Sequence, residues 1–187
     1  MNLAIKQMDI DSACLYGELK EELYLEHPEG FEEPDGRRRL VCKLRRAIYG
    51  LKQAGRVWWQ QIDQHLPTCG IQNSNYDRCV YVRRDRTTLT IVAIYVDDMV
   101  AASTSRHALQ ELETSLRARY SMKPVGDLEY VLGIKVTRSS VDGSITLTQE
   151  AYIDSILARY GMSNCRPTNT PLASGVVLER HEGEPEV

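Results

Sequence analysis

The stretch Thr90–Ala102, T-I-V-A-I-Y-V-D-D-M-V-A-A, decides how the rest of the chain is read. Apolar and β-branched residues run up to Val96, two aspartates interrupt them, and the apolar run resumes at Met99. This pattern predicts a strand over Thr88 to Val96, a tight bend at Asp97-Asp98, and a short strand over Met99 to Ala102. An ionised carboxylate kept from water costs several kcal/mol unless a partner offsets it. No Lys or Arg lies between Arg86 and Arg106 to serve as that partner. Two readings stay open at this point. The pair holds a divalent cation, for which Mg²⁺ suits hard oxygen ligands, or it forms a hydrated turn.

A second acidic segment bears on the choice. Met8-Asp9-Ile10-Asp11 ends a predicted strand over Ile5 to Ile10, and side chains two apart on a strand share a face. Laid beside the hairpin, that strand brings Asp9 toward Asp97 and Asp98. Carboxylates at neighbouring strand ends repel one another unless cations sit among them, and paired metals about 4 Å apart serve phosphoryl transfer.

Further strands are predicted over Glu22 to Leu25, Leu40 to Leu44 and Cys79 to Val82, the last turning through Arg83 to Arg86 into the Thr88 strand. Glu129 to Val136 and Ser144 to Leu147 form another pair, joined near Asp142-Gly143. Helices are expected over Ala54 to Leu66, stopped by Pro67; after a Ser105 cap, with Leu109, Leu112, Leu116 and Tyr120 on one stripe; and over Gln149 to Tyr160, closed by Gly161. Helices interspersed with hairpins indicate an α+β fold with a largely antiparallel sheet. Residues 173–187 turn polar and acidic, and a disordered end is expected there.

At 187 residues, with 42% apolar and 26% charged residues, the chain is long enough for one domain with its own core. A net charge of −3 excludes a histone-like or ribosomal basic protein, but the charge is segregated. Ten acids and one base lie between Asp9 and Asp35; eight bases and no acid lie between Arg37 and Arg56. The basic block could neutralise several phosphates, or it could pair with the acidic block at the surface. Five cysteines without a C-x-x-C pair suit reduced thiols rather than a disulfide framework or a zinc site. The N-terminal segment lacks a signal-peptide pattern, and the longest apolar run is too short for a membrane span. These features lead us to expect an intracellular protein, in the cytoplasm or the nucleus, with no membrane partner. They leave the oligomeric state open.

Seven motifs occur in one order: Q-M-D-I-D-S-A at Gln7–Ala13, G-E-L-K-E-E-L-Y-L-E-H-P-E-G-F at Gly17–Phe31, V-C-K-L-R-R-A-I-Y-G-L-K-Q-A-G-R-V-W at Val41–Trp58, D-R-C-V-Y at Asp77–Tyr81, Y-V-D-D at Tyr95–Asp98, L-G-I at Leu132–Ile134 and C-R-P-T-N-T-P-L at Cys165–Leu172. In this the chain resembles the reverse transcriptase of copia-type LTR retrotransposons, from Ile5 to about Leu172. The resemblance implies a polymerase palm over residues 1–172, with an antiparallel sheet packed on helices and the start of a connection. It implies that Asp9 and Asp97 bind two Mg²⁺ ions, that Asp98 completes the acidic site, and that Ile10 adds a backbone carbonyl. Gln53 would contact the incoming nucleotide, Tyr95 and Val96 would lie under the primer terminus, and Leu132-Gly133 resembles a primer-gripping hairpin. Arg45, Arg46, Lys52 and Arg56 would meet template or nucleotide phosphates. The implied partners are an RNA or DNA template-primer and dNTPs, and the implied reaction is attack of a primer 3′-hydroxyl on a dNTP α-phosphate. Trp58 and Trp59 invite a base-stacking reading, although helical spacing assigns Trp58 to the core.

Two positions depart from the family pattern. Cys14 replaces the aromatic residue that closes against the ribose, which implies weaker exclusion of ribonucleotides. Gly55 replaces a proline after the L-K-Q-A motif and widens the unfolded ensemble. Met1 stands only eight residues before Asp9, so an upstream fingers segment is expected to be missing. A catalytically inactive remnant that binds nucleic acid through residues 37–56 is the alternative reading.

Overall fold

The computed structural model describes residues 3–28, 30, 41–124, 126–172 and 175–178. Arg37, Arg38 and Arg39 of the basic block, Leu40 of a predicted strand, and residues 173–174 and 179–187 of the predicted disordered end lie outside the described residues. The described elements are β1 (Ala4–Asp9), β2 (Tyr24–Glu26), β3 (Val41–Lys43), α1 (Ala54–His65), β4 (Gln72–Asn73), β5 (Val80–Arg84), β6 (Leu89–Tyr95), β7 (Asp98–Ser103), α2 (Arg106–Arg117), β8 (Gly126–Asp127), β9 (Tyr130–Val131), β10 (Ile134–Arg138), β11 (Ile145–Thr148) and α3 (Glu150–Arg159). The fold is α+β, and every strand pairing is antiparallel. The chain divides into two compact units, Met1–Thr148 and Gln149–Val187.

In the first unit, six strands run in the order β4-β5-β6-β7-β1-β8. Strand alternation gives this sheet one dry face. Thr90, Val92 and Ile94 of β6, Met99, Ala101 and Ser103 of β7, and Met8 of β1 are buried. That face packs in one core with Trp58 and Ile62 of α1 and with Leu109, Leu112 and Leu116 of α2. Each fully buried Leu or Ile contributes roughly 1.5–3 kcal/mol. α2 begins where Ser105 accepts a hydrogen bond from the Ala108 N–H, as its sequence predicts. Tyr120 lies beyond α2 but still packs in the same core.

The acidic and basic blocks meet locally. β2 pairs with β3, Lys43 bonds Glu22, and Gln53 donates to Glu21 at 2.8 Å. At Gly17 the chain passes so close to α1 that an added Cβ would lie 2.6 Å from Val57 Cγ2, so only glycine fits there.

Several boundaries differ from the sequence expectation. The strand expected over Glu129 to Val136 is split into β9 and β10, because Leu132 (φ 50°) and Gly133 (φ 76°) both turn left-handed and let Val131 pair with Ile134. β5 continues through Arg83 and Arg84, and the turn falls at Asp85, whose carboxylate accepts the Thr87 and Thr88 N–H groups. Those bonds hold the Asp85 carboxyl below its ordinary pKa. In the second unit, α3 ends at a left-handed Gly161 (φ 66°), with Met162 N–H bonded to Leu157 O. Among the described residues, no helix is long and apolar enough to cross a membrane.

Candidate active site

β1 and β7 pair so that Asp9 stands directly opposite Asp98, while Met8 opposes Met99. The two methionines point into the core, so the pleat turns both aspartates to the face away from the helices. Directly opposite residues have Cβ atoms about 4.5–5.5 Å apart, and like charges placed so destabilise a sheet. Asp97 occupies the connection between β6 and β7, and its carbonyl accepts the Ile10 N–H at 3.1 Å. Asp9 is thereby brought to the same strand end as the adjacent Asp97 and Asp98, far from it in sequence.

Their side chains have separate partners. Lys123 Nζ lies 2.6 Å from Asp9 Oδ2, and the Lys123 N–H bonds the Asp9 carbonyl at 3.1 Å. The segment carrying Lys123 is held by an Ile10–Met122 bridge and by Arg117, whose guanidinium donates to the Met122 and Lys123 carbonyls. The Asp9 hydrogen bond, then the charges of Asp9, Asp11 and Asp98, raise the Lys123 pKa and keep its ammonium charged. The Tyr49 hydroxyl donates to Asp97 Oδ2 at 2.7 Å. Burial and that bond push the Tyr49 phenol up to about 12. Asp97 Oδ1 is buried and has no hydrogen-bond partner. Asp11 does not join Asp9 and Asp98: β1 ends before it, and it accepts from the Ser121 hydroxyl at 2.8 Å.

The expectation of a three-carboxylate cage therefore needs amending. Among the described residues, no group of three His, Cys, Asp or Glu side chains forms a cluster able to hold a metal. The backbone unites Asp9, Asp97 and Asp98, while Lys123 and Tyr49 draw two of the carboxylates to themselves. Neither partner is among the residues expected from the sequence. Lys123 is 114 positions from Asp9 and carries no local signal. Tyr49 lies inside the motif Val41–Trp58 and could have been found there.

The connection itself is strained. Val96 has φ 51°, a left-handed conformation that costs a non-glycine residue roughly 1–2 kcal/mol. Its carbonyl accepts the Trp58 indole N–H at 2.7 Å. Trp58 is 1% exposed, so base stacking is ruled out for it and core packing holds. Trp59 is half-buried and donates to the Arg78 carbonyl at 3.1 Å.

The other candidate residues fall as follows. Ile10 is buried beside Asp97. Cys14 is buried against Ala47 and Ala54, and burial, then the Asp97 charge, pushes its thiol up. Gln53 sits just before α1, engaged with Glu21. Tyr95 and Val96 are exposed at the aspartate turn, and Leu132 and Gly133 form the exposed β9–β10 turn. Arg45, Arg46, Lys52 and Arg56 are all exposed, and among the described residues none of the four joins an ion pair.

The chain belongs to the reverse transcriptase (RNA-dependent DNA polymerase) family, whose model matches residues 1–174. It is 36% identical over 181 residues to the retrovirus-related Pol polyprotein from transposon TNT 1-94 of Nicotiana tabacum, covering 96% of this chain and 14% of that relative. It is 37% identical over 179 residues to the Pol polyprotein from transposon RE2 of Arabidopsis thaliana, covering 96% of this chain and 12% of the relative. The transposon Ty5-1 protein of Saccharomyces cerevisiae is 31% identical over 174 residues, covering 91% and 55%. The chain thus spans only a small part of the plant polyproteins it matches.

Proposed function

We propose that residues 1–172 form a polymerase palm, with the start of a connection, that adds dNTPs to a primer 3′-hydroxyl on an RNA or DNA template. The observation that carries this reading is the register of β1 on β7, which sets Asp9 opposite Asp98 and ties Asp97 to Ile10.

In its chemistry the donor set suits magnesium, although the three side chains are not gathered into a cage in this structure. It consists of hard carboxylate oxygens, one of them buried without a partner, and a lysine ammonium is already drawn to them. Two bound Mg²⁺ ions would supply activation of the attacking oxygen and neutralisation of the leaving one. Asp9, Asp97 and Asp98 would hold them, with the Ile10 carbonyl alongside. Tyr49 holds Asp97 through Oδ2, and Oδ1 is left without a hydrogen-bond partner. Lys123 supplies positive charge beside Asp9 where triphosphate charge would accumulate. Arg45, Arg46, Lys52 and Arg56 offer four exposed cations to phosphates, and Gln53, once released from Glu21, would reach the nucleotide. Cys14 would border the sugar, Tyr95 and Val96 the primer end, and Leu132-Gly133 the primer strand. Holding the reactants in line supplies much of the rate in such chemistry.

A second reading, nucleic-acid binding without catalysis, draws on the same four cations and on the pairing of Asp9 with Lys123 and Gln53 with Glu21. Primer extension on poly(rA)/oligo(dT) with Mg²⁺ and dTTP separates the two. Extension that Asp97→Asn abolishes supports the polymerase. Extension indifferent to that substitution rejects the assigned carboxylates, and binding with no extension leaves the second reading.

A further inference from the structure

We infer that Trp58 is a positioning residue for Asp97, acting through its indole N–H rather than its bulk. The inference rests on the carboxylate assignment above.

Asp97 lies between two peptide groups, and both are tied. The carbonyl before it, on Val96, takes the Trp58 indole N–H at 2.7 Å; its own carbonyl takes the Ile10 N–H at 3.1 Å. The Ile10 bond belongs to the sheet and follows from the pairing of β1 with β7. The Trp58 bond comes from another element, α1, and acts on the one residue of the connection with a positive φ. That position in a two-residue hairpin is suited to glycine, and a β-branched residue there is held against its own preference. Nothing local favours Val96 in that state; among the described residues, the hydrogen bond to its carbonyl comes from the indole.

The indole is itself closely packed. It packs against Tyr120, ring centroids 5.3 Å apart and near perpendicular, and against Tyr16 at 6.2 Å. Tyr16 and Tyr120 also meet each other edge-on at 5.0 Å, and the Tyr16 hydroxyl accepts the Ser121 N–H at 2.8 Å. The aromatic cluster therefore anchors two sides of the carboxylate end. It fixes the Val96 carbonyl through Trp58 and the chain leading to Lys123 through Tyr16. Released from Trp58, the Val96–Asp97 peptide can rotate toward a right-handed conformation, and rotation carries the Asp97 side chain with it.

Mn²⁺ titration of the full chain, followed by electron paramagnetic resonance, tests this. Wild type should bind Mn²⁺ in a manner lost in Asp97→Asn; if it does not, the carboxylate assignment fails, whatever Trp58 does. Given that binding, Trp58→Phe, which keeps a ring but loses the donor, should weaken Mn²⁺ affinity about five- to tenfold, the loss of one hydrogen bond. Trp58→Phe combined with Val96→Gly should recover most of it, because glycine takes the left-handed state without help. A role in core packing alone predicts no recovery from a change at the turn. Where Trp58→Phe does not fold, site-specific benzothienylalanine at position 58 keeps the shape of the ring system without the N–H and gives the same comparison. Wild-type affinity in the donor-less protein, or a loss that Val96→Gly leaves unrepaired, overturns the inference.

Discussion

Replacing Asp97 by Asn should stabilise the metal-free protein and destroy its response to metal, so that the melting order of the two proteins inverts. Asp97 Oδ1 is buried without a partner, and such an oxygen costs about 1–3 kcal/mol, more for a charged group. Asn keeps the amide oxygen for the Tyr49 hydroxyl but removes the charge, trading a charge-assisted bond for a neutral one at a loss of about 1 kcal/mol. The Asn amide N–H₂ takes the place of Oδ1, still buried but neutral, so the desolvation cost falls without vanishing. The net expectation is a gain of about 1 kcal/mol, a rise of roughly 2–4 °C for a chain of this size. Metal at a hundred times its dissociation constant should add about 2.7 kcal/mol to wild type by mass action and little to the variant. Calorimetric melts in EDTA and in saturating Mg²⁺ or Mn²⁺ read both effects. An Asp97→Asn protein that melts below wild type in EDTA, or that gains as much from metal, would refute the reasoning.

Three other outcomes are expected. Gly55 lies in the first turn of α1 with nothing within 4 Å of an added Cβ, so Gly55→Ala should raise stability by about 0.5–1 kcal/mol in urea melts. The Tyr49 phenol is raised from 10 to about 12 by burial and by Asp97, so the folded state favours its neutral form. That contribution is complete below pH 10 and is lost as the pH rises from 10 through 12; a 295 nm titration of wild type minus Tyr49→Phe should isolate one phenol ionising near 12, and a difference midpoint near 10 would contradict the bond to Asp97. Single-nucleotide incorporation should show wild type accepting rNTPs more readily than Cys14→Phe. Equal, strong dNTP preference in both would remove Cys14 from sugar discrimination, and because Cys14 is buried, the added ring should cost about 1–3 kcal/mol in melts.

The elements best read from sequence were those whose information is local. The β-branched apolar run broken by Asp97-Asp98 revealed a strand, a bend and a strand because paired charges interrupt a dry segment, and Ser105 revealed the start of α2 because a cap acts within three residues. The residue pattern alone ran through the β9–β10 turn, where the resemblance marked a hairpin at Leu132-Gly133, because Leu132 seldom takes a positive φ and its type and conformation disagree. β4 and β8, two residues each, are too short to show a period. At the candidate site, the aspartates stood out because charge inside an apolar run is conspicuous. Their partners did not. Lys123 is an ordinary exposed lysine until the Ile10–Met122 bridge sets it against Asp9, and the polar end of Trp58 is invisible in a helix whose spacing speaks only of burial.

The pairing of β1 with β7 also has a kinetic side. The hairpin of β6 and β7 closes over a two-residue connection, which takes microseconds, but Asp9 reaches Asp98 only after a long loop has been closed. Non-local pairings of this kind slow folding. Until β1 docks, the central edge of β7 is an open ladder ready to accept a foreign strand, and the chain is then most exposed to aggregation. Docking of that single strand buries Met8, covers the ladder and sets Asp9 opposite Asp98, so the proposed site can form only once that edge is closed.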